Sequence, residues 1–290
     1  MKYLLCFIVV LMAATALAAT KPAAGVAERV VSLSPLITEN IYLLGAQESL
    51  VAVTTYCVRP KEARHKEKIG SVMQVSMEKI VSLQPDLILA TNLTQPQQVA
   101  KLRSLGLQVV RFGRPSSFAD ICAQFVELGG LLGRHAAAHA LVEQARFRVR
   151  QIQAQVAHLE PVKVFLQVGA QPLFSAVPGS FTHDFIRLGG GINIAGQQKR
   201  GGVRFEQVIA ENPAVIIVAI MGSESGIGAQ EMQRWLAVDV LEAARNSRVH
   251  IVDPDVVCSP SPTTFADTLA VLARLIHPEI TLLPDKEVQP

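Results

Sequence analysis

The sequence predicts an α/β protein in which two lobes with mostly parallel sheets are joined by one long rigid α-helix. Three observations lead to this prediction. Residues 134–160 have the spacing of an amphipathic helix, the residues on either side alternate between strand and helix patterns, and one twelve-residue pattern occurs on both sides. Strands that alternate with helices are typical of parallel sheets with helices on both faces.

The central helix is the most regular feature, and we expect it over residues 134–158 of a linking segment, 134–160. Large apolar or small residues recur in steps of three and four at Leu141, Ala145, Val149, Ile152, Val156 and Leu159. This spacing gives a helix one buried stripe. Gly133 and Pro161 mark its ends, and no Gly or Pro interrupts it. Such a helix spans roughly 37 Å, about the width of a small domain.

Residues 1–18 have the layout of a secretory signal peptide. A basic start at Lys2 is followed by an apolar run over residues 4–14 and by small residues that end at Ala18. The run is short for a bilayer span, so a retained anchor is the weaker alternative. Cys6 lies inside the run, which disfavours a lipid-attachment site. We therefore expect cleavage near Ala18 and export of the mature protein.

Composition and charge narrow the possible functions. The 290 residues suffice for two domains of ordinary size, and 50% of them are hydrophobic. Removing residues 1–18 takes away only one basic residue, leaving 26 basic against 24 acidic residues and a net charge of +2. This balance gives no reason to expect a nucleic-acid partner. Cys57, Cys122 and Cys258 remain, and an odd number permits at most one disulfide.

Residues 19–133 form the first predicted lobe. Its strands are expected at 29–33, 50–53, 87–90 and 108–112, and its helices at 38–44, 77–84, 97–105 and 118–132. Ser76 is a suitable cap for the helix that begins at Met77. Cys122 shares a helical stripe with Phe118 and Phe125, so we expect it in the core.

Residues 161–278 repeat the same alternation, so the chain is predicted to contain two Rossmann-like lobes. The strands are expected at 163–168, 215–219 and 249–252, and the helices at 182–188, 205–211, 231–244 and 262–276. Trp235 falls on an amphipathic helix and is expected in the core. Residues 279–290 are predicted to be a flexible tail.

An internal similarity supports the two-lobe interpretation. Residues 78–89 and 206–217 share one pattern, an acid, two apolar residues, a proline and three apolar residues, at an offset of 128. This pattern is one helix–proline–strand unit used once in each lobe. The alternative is that such connections look alike in unrelated places.

A cleft between two such lobes is the expected functional site, because ligands bind at the carboxyl ends of the strands in open α/β sheets. The loops expected there are 34–35, 54–60, 91–95, 169–181, 221–228 and 253–262. The sequence contains no G-x-S-x-G elbow, H-E-x-x-H motif, Walker-type loop or paired-cysteine metal spacing. We therefore predict a binding protein without enzyme activity, catalytic residues, cofactor or resident metal.

The chain resembles the helical-backbone (class III) periplasmic solute-binding proteins of ABC importers that carry cobalamin, ferric siderophores or haem. The residues that carry the resemblance are 30–35 with Thr38-Glu39, Tyr56, the two helix–proline–strand units, 189–193 and 275–279. The resemblance implies a monomer in the periplasm that binds a small-molecule metal chelate. It also implies that the long helix restricts the lobes to a small hinge movement.

Glu78 and Glu206 occupy equivalent positions, one in each lobe. In the family the matching acids dock against arginines of a homodimeric ABC permease in the inner membrane. A symmetric partner would need one such charge on each lobe. The alternative is that acids near a helix start only favour the helix dipole.

The residues expected to bind the ligand are Ser34, Pro35, Tyr56, Cys57, Arg59, Val72, Gln171, Arg200, Arg204 and Cys258. Tyr56 matches a cleft tyrosine that ligates iron in haem-binding relatives, and ordinary packing is its alternative. Cys57 and Cys258 could both face the ligand. They could form a disulfide, offer thiolates to a metal centre or only pack.

Two departures from the family bear on the cargo. The cobalamin-binding member has an aromatic residue six positions before each docking acid, where this chain has Val72 and Arg200. The last cleft loop also lacks the arginine that is often found there in the family. Lys199, Arg200 and Arg204 lie close together in sequence and, with Arg59, would suit an anionic chelate, although solvated loop charges are the alternative.

The predicted function is capture of a metal chelate (ferric siderophore, haem or corrinoid) and its delivery to a membrane permease. The alternatives are a periplasmic enzyme that processes such chelates, by chelatase or thiol redox chemistry, and a free-standing metallochaperone. His135 and His139 are four residues apart on the long helix. Without a third ligand we interpret them as a solvated pair.

Overall fold

The computed structural model describes residues 25–221 and 226–281. The predicted signal peptide, residues 1–18, lies outside this part of the chain, as do residues 282–290 of the predicted tail. The described residues form two mainly parallel sheets covered by helices, which confirms the predicted α/β class with two lobes. None of the described helices has the length and hydrophobicity needed to span a membrane.

The first sheet has the strand order β3-β2-β1-β4-β5, and its pairings are parallel. Its strands are β1 Val30–Ser32, β2 Leu50–Val53, β3 Glu67–Lys68, β4 Leu87–Thr91 and β5 Val109–Phe112. The helices are α1 Pro35–Leu43, α2 Met77–Ser82, α3 Pro96–Ser104 and α4 Phe118–Leu131, with a 3-10 helix at Lys61–His65. The central strands β1 and β4 are buried except at Thr91, as expected when helices cover both faces of a sheet.

The second sheet follows the order β10-β9-β6-β7. On the edge of β6 that faces away from β9, β7 pairs with the end of β6 and β8 pairs with its start. Its strands are β6 Val162–Gly169, β7 Phe174–Ser175, β8 Gly191–Asn193, β9 Val215–Val218 and β10 Val249–Ile251. The helices are α6 Phe181–Leu188, α7 Phe205–Glu211, α8 Ile227–Leu236, α9 Glu242–Arg245, α10 Pro254–Cys258 and α11 Pro262–Ile276. β7 is antiparallel to β6, whereas β8, β9 and β10 keep parallel pairings.

The long helix α5, His135–Val156, lies between the two sheets in sequence and packs against α4 and α11. Its buried residues are Ala138, Val142, Ala145, Val149, Ile152 and Val156. The predicted single stripe is confirmed, but the helix is shorter than residues 134–158. Leu159 therefore lies beyond its end. Ala138 and Val142 are buried, whereas Leu141, which was expected in the buried stripe, is only half-buried.

The prediction of one helix over residues 231–244 is wrong. α8 ends at Leu236, and a separate short helix, α9, begins at Glu242. The residues between them include the β-branched Val238 and Val240 on either side of Asp239. These residue types have low helix propensity, and the buried Leu241 fixes the chain in an extended conformation before α9.

The internal similarity corresponds to a repeated structural unit. In the first sheet α2 leads to β4, which lies beside the central β1, and in the second α7 leads to β9, which lies beside β6. The residue before each proline, Gln84 or Asn212, has a left-handed conformation with φ of 46° or 47°. Ile80 and Val208 occupy the same position of the unit and are both fully buried. The predicted repeat is therefore confirmed in the backbone.

The two lobes share one apolar core beneath the helices that join them. Phe265 of α11 stacks on Phe118 of α4 at a ring-centroid distance of 4.5 Å and on Phe185 of α6 at 4.3 Å. Phe118, in α4, belongs to the first lobe, and Phe185, in α6, belongs to the second. Phe265 thus connects the two lobes through continuous aromatic packing.

We expect Phe265→Ala to lower the free energy of unfolding by about 3–5 kcal/mol, because the substitution opens a cavity between two stacked rings. Phe265 is fully buried. Phe147, on α5, is 55% exposed and provides the control. Phe147→Ala should change stability by less than about 0.5 kcal/mol. Urea unfolding followed by circular dichroism measures both, and equal losses in the two variants would contradict a core that joins the lobes at Phe265.

Candidate functional site

A cavity of about 1250 Å³ lies between the carboxyl ends of the two sheets. The first lobe contributes the start of α1 and the segments that follow β2, β4 and β5. The second lobe contributes the segments around β7 and α6, the segment after β9 and part of α10. The cleft expected from the strand ends is therefore present, and its size exceeds the roughly 300–1,000 Å³ of ordinary small-molecule pockets.

Most of the ligand-binding candidates chosen from the sequence lie on the wall of this cavity. They are Ser34, Pro35, Tyr56, Arg59, Val72, Arg200 and Cys258. Gln171 and Arg204 are exposed but are not part of the wall. Gln171 lies in the turn between β6 and β7, and Arg204 is the residue that precedes α7.

The expectation that Cys57 faces the ligand is wrong. Its side chain is fully buried, and its Sγ lies 3.2 Å from the Thr54 hydroxyl. Its carbonyl oxygen accepts a hydrogen bond from Lys68 Nζ at 3.1 Å. The turn after β2 directs Tyr56 outward instead, with 62% of that residue exposed. Adjacent residues on this turn thus have opposite environments, which residue type alone does not specify.

Cys258 does line the cavity, as a half-buried residue of α10. Burial raises the pKa of its thiol to about 11. Cys57, Cys122 and Cys258 are all free thiols, so the structure does not contain the disulfide that was one alternative for Cys57 and Cys258. Cys122 is fully buried, as expected, and burial raises the pKa of its thiol to about 11 as well.

Arg59 connects the two lobes across the cavity wall. Its Nη1 lies 2.5 Å from an Asp255 carboxylate oxygen in α10, and its Nε donates to Glu39 of α1 at 3.0 Å. Burial raises the pKa of the Glu39 carboxyl, and the Arg59 charge opposes that shift. The charge of Arg59 is therefore already paired with two carboxylates, and sequence reasoning missed both acids as parts of the wall.

Three other cations line the cavity and carry no paired acid within the described residues. They are Arg114, Lys199 and Arg200, and all three are exposed. Arg200 was expected here, whereas Arg114, which follows β5, was not singled out from the sequence. Its position after a strand end could have indicated it. The positive charge available to a ligand therefore lies on these three residues rather than on Arg59.

Apolar side chains on the cavity wall are unusually exposed. Tyr56, Met73 and Leu93 of the first lobe are 62%, 60% and 64% exposed. Phe174 and Met221 of the second lobe are 42% and 55% exposed. Exposed apolar groups gathered at one concave site are characteristic of ligand or partner binding. They suit a cargo with a large apolar surface.

Trp235 does not contribute to this surface, because it is fully buried. Its ring stacks on Phe205 at 4.5 Å, and its Nε1 donates to the Gln167 side chain at 2.7 Å. Gln167 in turn donates to Glu231 at 2.8 Å. This network fixes α7 and α8 against β6, as expected for a core tryptophan.

Glu78 and Glu206 lie in the first turns of α2 and α7 and are exposed. Neither carboxylate has an ion-pair partner within residues 25–221 and 226–281. Ser76 accepts a hydrogen bond from Lys79 N, so the predicted cap of α2 is confirmed. The structure thus presents one free carboxylate at the equivalent place of each repeated unit.

The part of the chain that the structure describes contains no group of three or more His, Cys, Asp or Glu side chains placed to hold a metal ion. His135 and His139 are exposed, with ring centroids 5.8 Å apart. They therefore remain a pair on the surface of α5.

Comparison with known proteins identifies a family and several solved structures with the same fold. The model of a periplasmic binding protein family matches residues 30–256. A vitamin B12-binding protein of Yersinia pestis is 34% identical over 204 residues, which are 69% of this chain and 72% of that protein. The crystal structure of the periplasmic vitamin B12-binding protein of Vibrio cholerae has a TM-score of 0.72 at 26% identity, and the match covers 86% of this chain and 96% of that one.

A periplasmic heme-binding protein of Pseudomonas aeruginosa shares the fold with a TM-score of 0.77. The match covers 89% of this chain and 96% of that one, at 22% identity. The family match extends over most of the chain and includes both sheets and most of the residues that line the cavity between them. The chain therefore belongs to the periplasmic binding protein family.

Proposed function

We propose that this protein is the substrate-binding component of an ABC importer and captures a metal chelate in the cavity between its lobes. The cavity of about 1250 Å³ with an exposed apolar wall is the observation that carries the proposal. It offers more room than a small metabolite needs, and its apolar side chains can pack against a macrocycle or a large chelate. Haem, a ferric siderophore and a corrinoid are the cargo classes that fit this description.

The relatives favour tetrapyrrole-type cargo, since they include vitamin B12-binding and heme-binding proteins. Val72 and Arg200 line the cavity at the two positions where aromatic residues were expected for cobalamin. An exposed Tyr56 on the same wall offers a ring to pack on a macrocycle and a phenol oxygen to a metal. These residues favour haem or a ferric chelate over cobalamin.

Delivery of the cargo would depend on Glu78 and Glu206. Each lies at the start of a helix in the repeated unit, exposed and without an ion-pair partner in the described chain. A homodimeric permease in the inner membrane would present the same basic surface twice, once to each lobe. The protein itself would act as a monomer in the periplasm after cleavage of residues 1–18.

The first test is cargo binding by the wild-type protein. Absorption titrations with haem, cobalamin and a ferric siderophore should show binding of at least one class. Tyr56→Ala should weaken the bound class about tenfold or more, since a ring in contact with the ligand is lost. Phe147→Ala removes an equally exposed ring outside the cavity and should leave affinity unchanged. A wild-type protein that binds none of the three would refute the proposed cargo.

The second test concerns docking. Glu78→Lys combined with Glu206→Lys should abolish uptake of the cargo by cells, because both contacts to a basic permease surface become repulsive. Affinity for the cargo in solution should not change, since neither residue lines the cavity. Glu127→Lys, which reverses an exposed acid on α4, is the control and should retain uptake. Uptake that survives the double reversal would exclude this docking mode.

The third test separates transport from thiol chemistry at the cavity. Because the pKa of the Cys258 thiol is raised to about 11 by burial, nearly all of this thiol is protonated at neutral pH. Its alkylation by iodoacetamide should therefore accelerate about tenfold per pH unit between pH 7 and 10. Cys258→Ser supplies the background rate in the same assay. A rate that reaches a plateau below pH 8 would reveal an activated thiolate and would favour a redox enzyme.

A further inference from the structure

The amino-terminal end of α1 opens into the cavity. Ser34, Pro35, Leu36 and Ile37 all line the wall there. The first backbone N–H groups of a helix have no partner within the helix. In the described structure the N–H groups of Leu36 and Ile37 have no acceptor, because the first hydrogen bond of this helix runs from Thr38 N to Ser34 O. This end of α1 therefore presents unpaired donors and the positive end of the helix dipole to the cavity.

Ser34 adds a second, independent donor at the same place. The residue is only 4% exposed, yet it lines the cavity, and its hydroxyl has no hydrogen-bond partner within residues 25–221 and 226–281. It does not cap its own helix, although serine usually does so in this position. Ser32, two residues earlier, differs, because its hydroxyl donates to Ser34 O and accepts from Thr38. The Ser34 oxygen is not among the buried polar atoms that lack a partner in the described chain, so it reaches the open cavity and is free to donate to a group bound there.

The other helix that begins at the cavity wall, α6, provides an internal comparison. The hydroxyl of Ser180, which precedes it, is bonded to Val177 O at 2.9 Å and lies 2.7 Å from the Thr182 hydroxyl. The first turn of α6 also contains Asp184, whose charge offsets the helix dipole. The first turn of α1 contains no acid. Of these two helices, only α1 has an amino-terminal end whose first turn contains no acid and whose preceding serine hydroxyl is unbonded in the described structure.

Nearby charges do not block a negative group at this position. Glu39 is one turn further along α1, and its carboxylate shares Arg59 with Asp255 of the same wall, so this group keeps one net negative charge. Arg114, Lys199 and Arg200 line the same cavity without paired acids in the described chain. The electrostatic environment therefore combines a helix amino terminus with free cations, an arrangement that favours anions.

We infer that the start of α1, together with the Ser34 hydroxyl, binds an oxyanionic group of the cargo, a carboxylate or a phosphate. The inference rests on the proposed function, since it assumes that the cavity holds a metal chelate. The Leu36 and Ile37 amides and the Ser34 hydroxyl donate to the oxyanion. The apolar wall around Tyr56 packs on the remainder of the cargo.

The test compares matched ligands that differ in the oxyanion. The pairs are haem and its dimethyl ester, cobalamin and cobinamide, and a carboxylate and a trihydroxamate ferric siderophore. Affinities are measured for wild-type protein, Ser34→Ala and Ser34→Asp. Ser76→Ala is the control, because it removes a helix-capping serine hydroxyl outside the cavity. Circular dichroism of each ligand-free variant verifies its fold.

Ser34→Ala should weaken binding of the member that carries the oxyanion about tenfold, the effect of one hydrogen bond to a charged group, and leave the member without it within about twofold. Ser34→Asp should weaken the anionic member further and raise the melting temperature of the ligand-free protein, since its carboxylate occupies the helix end. A loss with haem identifies a carboxylate as the bound group, and a loss with cobalamin identifies its phosphate.

The inference is overturned if Ser34→Ala changes the affinity for both members of a pair equally, or for neither. It is also overturned if the wild type binds the members without the oxyanion as tightly as those that carry it. A wild-type protein that binds no member of any pair refutes the proposed function instead. Ser76→Ala that lowers affinity as much as Ser34→Ala would show a general effect on stability and would also overturn the inference.

Discussion

The structure depends on aromatic packing that holds the two lobes at a fixed separation. Phe265 lies between Phe118 and Phe185, and α5 packs against α4 and α11 in the same continuous core. This core lies beneath the cavity and leaves the strand ends above it open. Because packed interiors tolerate little deformation, this core fixes how α4, α5 and α11 lie against one another.

Parallel pairing within each sheet explains why residues far apart in sequence meet at one wall. The carboxyl ends of β1, β2, β4 and β5 lie at the same edge of the first sheet, and the second sheet presents its corresponding edge to them. The repeated helix–proline–strand unit adds a second consequence. It places Glu78 and Glu206 at equivalent positions of the two sheets, where the buried Ile80 and Val208 hold α2 and α7 against the separate core cluster of each lobe.

The sequence was sufficient for the fold class and for most elements because hydrophobic periodicity and helix caps act locally, whereas the short strands β3, β7 and β8 and the short helix α10 were not predicted. Apolar spacing predicted α5, and the Ser76 cap and the proline units were correct in detail. The burial of Cys57 and the ion pairing of Arg59 depend on tertiary contacts instead. A turn buries the thiol of Cys57, and Asp255, 196 residues away, pairs with Arg59. No local pattern encodes such a partner, so the charges available to a ligand could not be assigned from sequence.

The distribution of charge around the cavity connects the fold to the choice of ligand. Glu39, Arg59 and Asp255 form an ion-paired group that joins the lobes, and because two carboxylates share one guanidinium it supplies no positive charge to a ligand. Arg114, Lys199 and Arg200 keep their charges available. An anionic chelate is therefore attracted by the exposed cations while its apolar surface packs on the wall. The unpaired donors at the start of α1 then give one of its oxyanions a defined position, which provides orientation in addition to affinity.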